Sequence, residues 1–473
     1  MNSTSLLLAG LALTTTAAFG KTIPNNAEAS LVLGQVDFIS NLASVPPNAA
    51  SLNYSSSVIV DPVTRKVFVA EVGNDRVLRY ASADALANGA QAEAVFGQAL
   101  FTTQTTTVTS NQFGGDPQSI FLDTKGRLWV PDSSGNRVLR FDFASLCDSS
   151  PSASRVYGQP DFTTSTAATT SSGMTGPYAV CVDSADRLWV ADTGNHRVLR
   201  FDAITTKPSG TAADGVLGQA NFTTSTAGSG NNGMFYPVGV TTSTGGSLYV
   251  TCNGANRVMR FDNASGLGAN APASAVLGQP DFATITPGIT AVKMRSPNGA
   301  WITPDDSLWV ADTSNSRVLR FNNASTKPSG AAADGVLGQP DFTSDLPATT
   351  RRGMYIPYRR PFVDTTGSLW VPDSYNNRVL RFSPDATPPL LAVTAPVKVT
   401  KKPKLVIKGT ASDTYGISKV EYRIGKGPLK LATGTTAWSF KATLQKGKNT
   451  ITIIVTDVDG IQSLSKVVKI TRK

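Results

Sequence analysis

Histidine, cysteine and charge are all scarce in this chain. One histidine, His196, and three cysteines, Cys147, Cys181 and Cys252, occur in 473 residues. No Cys-x-x-Cys pair and no Cys/His cluster is present, which excludes a zinc site of the usual ligand types. Three widely separated cysteines make no disulfide framework. Cys181, inside the apolar run AVCVD, reads as a small buried hydrophobe. Charged residues make up only 16%, while Gly, Thr and Ser are abundant, a balance that suits short strands joined by many turns. No internal stretch reaches the ~18 uninterrupted apolar residues of a membrane helix. The first twenty residues differ from the rest. An apolar run over 6–13 gives way to small residues ending Ala18-Phe19-Gly20, the pattern of a secretory signal with an Ala-x-Gly cleavage site, although its leading segment carries no Lys or Arg. Residues 1–20 are therefore expected to be an export signal. The product is expected to be secreted or held at the cell surface or in the periplasm.

A chain this long exceeds one ordinary core, so several domains or a repeat array are expected. The repeat is plain. The run Arg-Val-Leu-Arg-aromatic begins at Arg76, Arg137, Arg197, Arg257 (with Met259 for Leu), Arg317 and Arg378, at spacings of 61, 60, 60, 60 and 61 residues. A run of the form Val-Leu-Gly-Gln-Pro-Asp-Phe places glycines at 34, 97, 158, 218, 278 and 338. Strands of the type Leu-Trp-Val-Ala-Asp precede each arginine run. Each unit thus offers four short strands; in the third they fall at 178–183, 188–191, 197–201 and 216–219, separated by turn formers. Apolar residues on both alternations require burial of both sheet faces. One unit cannot bury both, so copies must stack, and four-stranded sheets closing in a ring make a propeller. A Gly-Gln strand at 31–36 precedes the first arginine run and none follows the last. The N-terminal strand is therefore expected to complete the sixth blade and cover its edge. Prolines 160, 280 and 340 agree with an outer position, where proline is tolerated.

The run Val190-Ala191-Asp192-Thr193-Gly194-Asn195-His196-Arg197-Val198 resembles the signature of the NHL-repeat family, and the resemblance covers residues 31–383. It implies an all-β, six-bladed propeller with four-stranded blades. Two departures stand out: a longer period, with the extra length in loops such as 163–173, and Cys252 where the other units carry Asp or Glu. Some six-bladed relatives are metal-dependent lyases, lactonases or hydrolases. The peptide-amidating lyases need several histidines, and this chain has one. A calcium-dependent lactonase would use carboxylates at the channel mouth, where the inner strands here supply Gln118, Asn298 and Arg359.

Residues 384–397, with Ala-Thr-Pro-Pro and Thr-Ala-Pro, read as a stiff linker. The short strand-like runs of 398–473 suit a β-sandwich. Gly409-Thr410-Ala411-Ser412-Asp413 and Gly447-Lys448-Asn449-Thr450 resemble bacterial Ig-like domains of exported proteins. From residue 388 on, sixteen basic residues face four acidic ones, a net of +12, while the remainder carries 27 basic and 29 acidic, a net of −2. Such a tail suits adhesion to an anionic surface polymer or a soluble sandwich with lysine-blunted edges. Export and the lack of an aromatic-basic stacking motif argue against nucleic acid.

Within the repeat, Asp132/Arg137, Asp192/Arg197, Asp312/Arg317 and Asp373/Arg378 face each other across a hairpin. Because the pairing recurs, it is expected to clip each hairpin, and at the rim it contributes ~0.2–1 kcal/mol. The second arginines, such as Arg140, Arg200, Arg260 and Arg320, point to the opposite face and need a partner that sequence does not identify. Departures from the repeat are the candidate ligand residues. These are Lys293 and Arg295 in the fifth unit, and Arg351, Arg352, Arg359 and Arg360 in the sixth, interleaved with Trp301, Tyr355 and Tyr358. They are expected to gather on one sector of the rim near the channel, arginines gripping carboxylate or phosphate and aromatics stacking on sugar. His196 is expected to be an exposed turn residue. The functional expectation is a monomeric, exported binding or scaffold protein for a protein or polysaccharide, with no catalytic residue, cofactor or metal. A propeller hydrolase or lactonase with a channel metal is the alternative.

Overall fold

The computed structural model describes residues 23–43, 45–144, 149–394, 397–458 and 461–473. The export signal expected over 1–20 and Cys147 lie outside the described residues.

Six four-stranded antiparallel sheets form the blades. Blade one is Ser55–Val60, Lys66–Glu71, Arg76–Ser82 and Ala94–Phe96, and blade two is Phe121–Leu122, Leu128–Asp132, Arg137–Phe141 and Arg155–Tyr157. Blade three is Pro177–Val182, Leu188–Asp192, Arg197–Phe201 and Gly215–Leu217; blade four is Pro237–Thr242, Leu248–Cys252, Arg257–Phe261 and Ala275–Leu277. Blade five is Gly299–Ile302, Leu308–Asp312, Arg317–Phe321 and Gly335–Leu337. In blade six, Phe362–Val363, Leu369–Asp373 and Arg378–Phe382 are completed by Leu31–Leu33, with Leu31 opposite Arg381 and Leu33 opposite Val379. The first and last blades also meet directly: the Ser55 hydroxyl donates to the Arg378 carbonyl at 2.8 Å, and Ser57 bridges Arg360.

The Gly-Gln repeat now has a physical reason. Gly218 sits at φ +85°, and a Cβ there would fall 2.7 Å from the Met234 sulfur. Only glycine fits that close, left-handed corner. The following glutamine ties the corner down: Gln219 Nε2 donates to the carbonyls of His196 and Thr226 at 3.1 and 2.8 Å.

The second arginines staple each blade to the next. Arg79 donates to the Ala144 carbonyl, Arg140 to Ile204, Arg200 to Leu267, Arg260 to Ala324, Arg320 to Ile23 and Arg381 to Ala83, at 2.7–3.3 Å. Most of these guanidinium groups also lie over a tryptophan of their own blade, such as Trp129, Trp189, Trp309 or Trp370. The partner that sequence could not name is thus a loop carbonyl of the neighbouring blade. At the fifth blade the N-terminal segment supplies it.

The hairpin pairs are not rim-exposed. Asp132–Arg137, Asp192–Arg197, Asp312–Arg317 and Asp373–Arg378 are each 2.7 Å apart with both side chains 0% exposed. Arg197 additionally donates to the carbonyls of Phe222, Thr170 and Gly173. The surface value expected from sequence therefore does not apply. Stacking of neighbouring blades takes both charges out of water, so removing one partner is costly.

After the propeller in the chain, a three-stranded sheet (Leu390–Val393, Lys404–Ser412, Ala437–Thr443) packs on a five-stranded one (Val399–Thr400, Lys466–Arg472, Gly447–Asp457, Ile417–Ile424, Lys430–Leu431). Ile407, Trp438, Phe440, Ile451, Ile453 and Val455 fill the core. Residues 390–393, placed in the linker by sequence, are instead the first strand of this sandwich: Leu391 buries its side chain and pairs with Ala411.

Candidate functional site

The residue after each repeat proline, or its equivalent, falls at one register position at the start of the inner strand. Across the six blades it is Ser56, Gln118, Tyr178, Val238, Asn298 and Tyr358. The position is occupied by five residue types in the six blades, tyrosine occurring twice. A cavity of about 410 Å³ opens at this level, lined by Tyr178, Tyr236, Val238, Asn253, Asn298, Tyr358 and Arg359 among others.

Arg359 forms its floor and crosses the channel. The guanidinium donates to Gln118 Oε1 at 3.0 and 2.7 Å, to Asn298 Oδ1 at 3.1 Å and to the Tyr358 hydroxyl at 2.7 Å. It lies 4.2 Å from the ring centres of both Tyr178 and Tyr358. Blades two, three, five and six thus converge on one cation. The approach needs close backbones: a Cβ on Gly299 would sit 2.6 Å from the Arg359 carbonyl. Arg359 itself holds φ +56°, a conformation costing ~1–2 kcal/mol per non-glycine residue. Such strain persists where its surroundings over-determine it, as at ligand sites.

Arg360 points to the other end of the channel. Its Nη2 donates to the Ile120 carbonyl at 2.8 Å, and the group lies over Trp301 and Phe121. Its Nε and Nη1 are buried without hydrogen-bond partners. Burial pulls its pKa down to about 10, so it stays charged at neutral pH. A second cavity of about 280 Å³, lined by Phe121, Val182, Thr242 and Trp301, opens at that end. Arg359 and Arg360 are 2% and 3% exposed, and among the described residues neither has a carboxylate partner. The channel is therefore divided by two adjacent positive charges without counter-ions.

The other sequence candidates do not gather with them. Arg351 donates to the Ala29 carbonyl at 3.0 Å and covers the Phe38 ring, while Arg352 pairs with Glu28 at 3.2 Å. Both fasten the N-terminal segment that closes blade six. Arg295 pairs with Asp345 at 3.3 Å, and the Lys293 carbonyl accepts from Arg317. Tyr355 joins Tyr54 and Tyr375 in an exposed aromatic trio on the loop face. Trp301 faces the opposite cavity from Tyr358. The expectation of one sector is thus corrected: successive residues of a strand point to opposite faces, and loop arginines follow the chain closure rather than the channel. His196 is half-buried rather than exposed. Its Nδ1 accepts the Tyr236 amide at 3.2 Å and its ring meets the Tyr236 ring edge-on, so it positions a cavity residue. Tyr178, Tyr236 and Asn253 were not anticipated. The signal that marks Tyr178 is its variation at a single register position.

A family model described as an NHL repeat matches residues 175–201, and one described as a bacterial Ig domain matches residues 389–453. No curated protein matches the chain. Among solved structures, streptogramin B lyase is 13% identical, covering 72% of this chain and 95% of that one at a TM-score of 0.40. Virginiamycin B lyase from Staphylococcus aureus is 12% identical over 71% and 97%, at 0.41. A protein of unknown function from Bacteroides thetaiotaomicron is 15% identical over 76% and 75%, at 0.46. The chain is a six-bladed propeller carrying an NHL repeat, followed by a bacterial Ig-type domain.

Proposed function

We propose that this chain is an exported binding protein whose propeller recognises a carboxylate- or phosphate-bearing ligand, a glycan or a protein side chain, at the channel mouth. The observation that carries the reading is Arg359, buried without a carboxylate partner among the described residues, in the cavity lined by Tyr178, Tyr236 and Tyr358, with Arg360 next to it in sequence facing the opposite cavity. A buried unpaired charge is costly, and an incoming anion relieves that cost in a water-poor, aromatic-walled cleft where electrostatic contacts are strengthened. Tyr178, Tyr236 and Tyr358 offer flat faces for a sugar ring, and Asn253 and Asn298 offer amides for its hydroxyls. Among the described residues the lining of this mouth is tyrosine, amide, hydroxyl and arginine side chains rather than carboxylates, which favours binding over a hydrolytic centre that would need metal ligands there. The strongly basic Ig-type domain serves as a spacer that also holds the chain to an anionic surface.

A binding array of acidic and neutral oligosaccharides, followed by calorimetry, tests this. Acidic ligands are expected to bind and neutral ones of the same length to bind at least tenfold more weakly. Tyr236→Ala, at a 45% exposed residue, and Arg359→Gln are both expected to weaken binding at least tenfold, with circular dichroism confirming that each variant is folded. Equal affinity for neutral and acidic ligands, or full affinity in both variants, refutes the proposal.

A further inference from the structure

The basic tail contains four acidic residues, and two of them meet a third from the end of the propeller. Asp385 follows blade six directly, Asp413 follows the strand Lys404–Ser412, and Asp457 ends the strand Gly447–Asp457. Each offers a carboxylate oxygen within 4.8 Å of the other two. Asp385 and Asp457 are 6% and 1% exposed, and Asp413 is partly open to solvent.

Sixteen basic residues lie in this same tail, yet among the described residues none pairs with Asp385 or Asp413. Their hydrogen bonds come from nearby amides: Thr387 donates to Asp385 Oδ1, Tyr415 to Asp413 Oδ1 and Ile461 to Asp457 Oδ1 at 2.8–2.9 Å. Asp385 Oδ2 is fully buried and has no hydrogen-bond partner. A cation would relieve a buried, unsatisfied carboxylate oxygen that sits beside two other carboxylates.

We propose that Asp385, Asp413 and Asp457 hold one Ca²⁺ ion at the junction of the propeller and the Ig-type domain. Oxygens bound to Ca²⁺ lie ~2.3–2.6 Å from the ion, so two ligands of one ion can be at most about 5 Å apart. The observed spacing fits within that sphere. Three carboxylates and no nitrogen or sulfur donor suit a hard cation. Water on the open Asp413 side and backbone carbonyls complete the coordination of six to eight typical of the ion. Mg²⁺, which demands a small, near-ideal octahedron, fits a site assembled from three separate segments poorly.

The ion would join two domains. Tyr415, two residues beyond Asp413, packs against the blade-six cluster that includes Val363, Leu369 and Phe382. With Asp385 tied to Asp413 and Asp457 through the ion, the basic domain is fixed in orientation against the propeller. Extracellular calcium modules bind with Kd ~10⁻⁴–10⁻³ M, a range in which an exported protein is loaded and a cytosolic one is not. This departs from the sequence expectation, which assigned no metal and considered carboxylate ligands only at the channel mouth.

The test uses the full chain. Calcium alone is titrated by calorimetry, and thermal unfolding is followed in chelator and in millimolar Ca²⁺ or Mg²⁺. One Ca²⁺ per chain and a higher unfolding midpoint of the C-terminal domain in Ca²⁺ than in Mg²⁺ are expected. Asp385→Asn and Asp413→Asn are each expected to weaken Ca²⁺ binding at least tenfold. In chelator they are expected to melt at or above the parent, because each removes one of three repelling charges. No stoichiometric Ca²⁺, or undiminished Ca²⁺ affinity in both variants, overturns the proposal. So does a lowered midpoint in chelator with the calcium response retained, which would make the carboxylates structural.

Discussion

Blade four lacks the acid of its hairpin clip, and restoring it is expected to stabilise the propeller. Arg257 keeps three carbonyl partners, Phe282, Gly230 and Gly233. Its Nε, which in blades two, three, five and six donates to an aspartate at 2.7 Å, is buried without a partner. Burial pushes the Cys252 thiol up to about 11, so at neutral pH it gives Arg257 no counter-charge. Cys252→Asp supplies that charge. It also offers an acceptor to the Phe235 amide, as Asp192 and Asp312 do for Thr175 and Arg295 at 2.7 Å. The opposing term is desolvation, which raises the pKa of Asp192 and Asp312 from the ordinary value. An orphaned buried donor costs ~1–3 kcal/mol, and that is the expected recovery. With ~2.1 cal/mol/K of unfolding entropy per residue over about 350 propeller residues, it corresponds to roughly 1.5–4 °C in Tm. Adding Ala255→Asn restores the amide that Asn195, Asn315 and Asn376 give their aspartates at 2.8–2.9 Å and is expected to add to the shift. Scanning calorimetry of the parent, Cys252→Asp, the double variant and a Cys252→Ser control measures it. A folded Cys252→Asp that melts at or below the serine control refutes the reasoning.

His196, the lone histidine, is held below its ordinary 6.5 by burial. The unfolded chain therefore takes up the proton first, so this group contributes stability above about pH 6.5 that is lost as pH falls through the window down to its folded value; an NMR titration midpoint at or above 6.5 contradicts this. Deleting the described residues through Leu33 exposes the edge of Arg378–Phe382 and removes the Ile23 and Ala29 carbonyls that Arg320 and Arg351 use. The truncated chain is expected to aggregate and to lose cooperative urea unfolding, whereas a monomer with an unchanged midpoint would show that the closing strand is dispensable.

Much of the fold is written locally. A 60-residue period, alternation that needs two buried faces, and a Gly-Gln strand present at the start but missing at the end led directly to six blades and their closure through Leu31–Leu33. Each depends only on neighbours in sequence or on counting. The site was less legible. Arg359 and Tyr358 stood out as departures from the repeat, but so did Arg351 and Arg352, which fasten the N-terminal segment instead. Sequence marks that a position departs from the pattern and not which side of the strand it faces or what chain lies opposite.

The sequence by itself determined the repeat, the strand order within each unit, the ring and the concentration of positive charge in the tail, because these follow from periodicity, turn chemistry and composition. The tertiary structure alone decided which charges are buried, which carbonyl of the next blade each arginine reaches, that Gln118 and Asn298 meet Arg359 across the channel, and that Asp385 meets Asp413 and Asp457. Those contacts join residues tens to hundreds of positions apart. Their burial and partners are properties of the closed ring and its docked domain, and no local pattern encodes them.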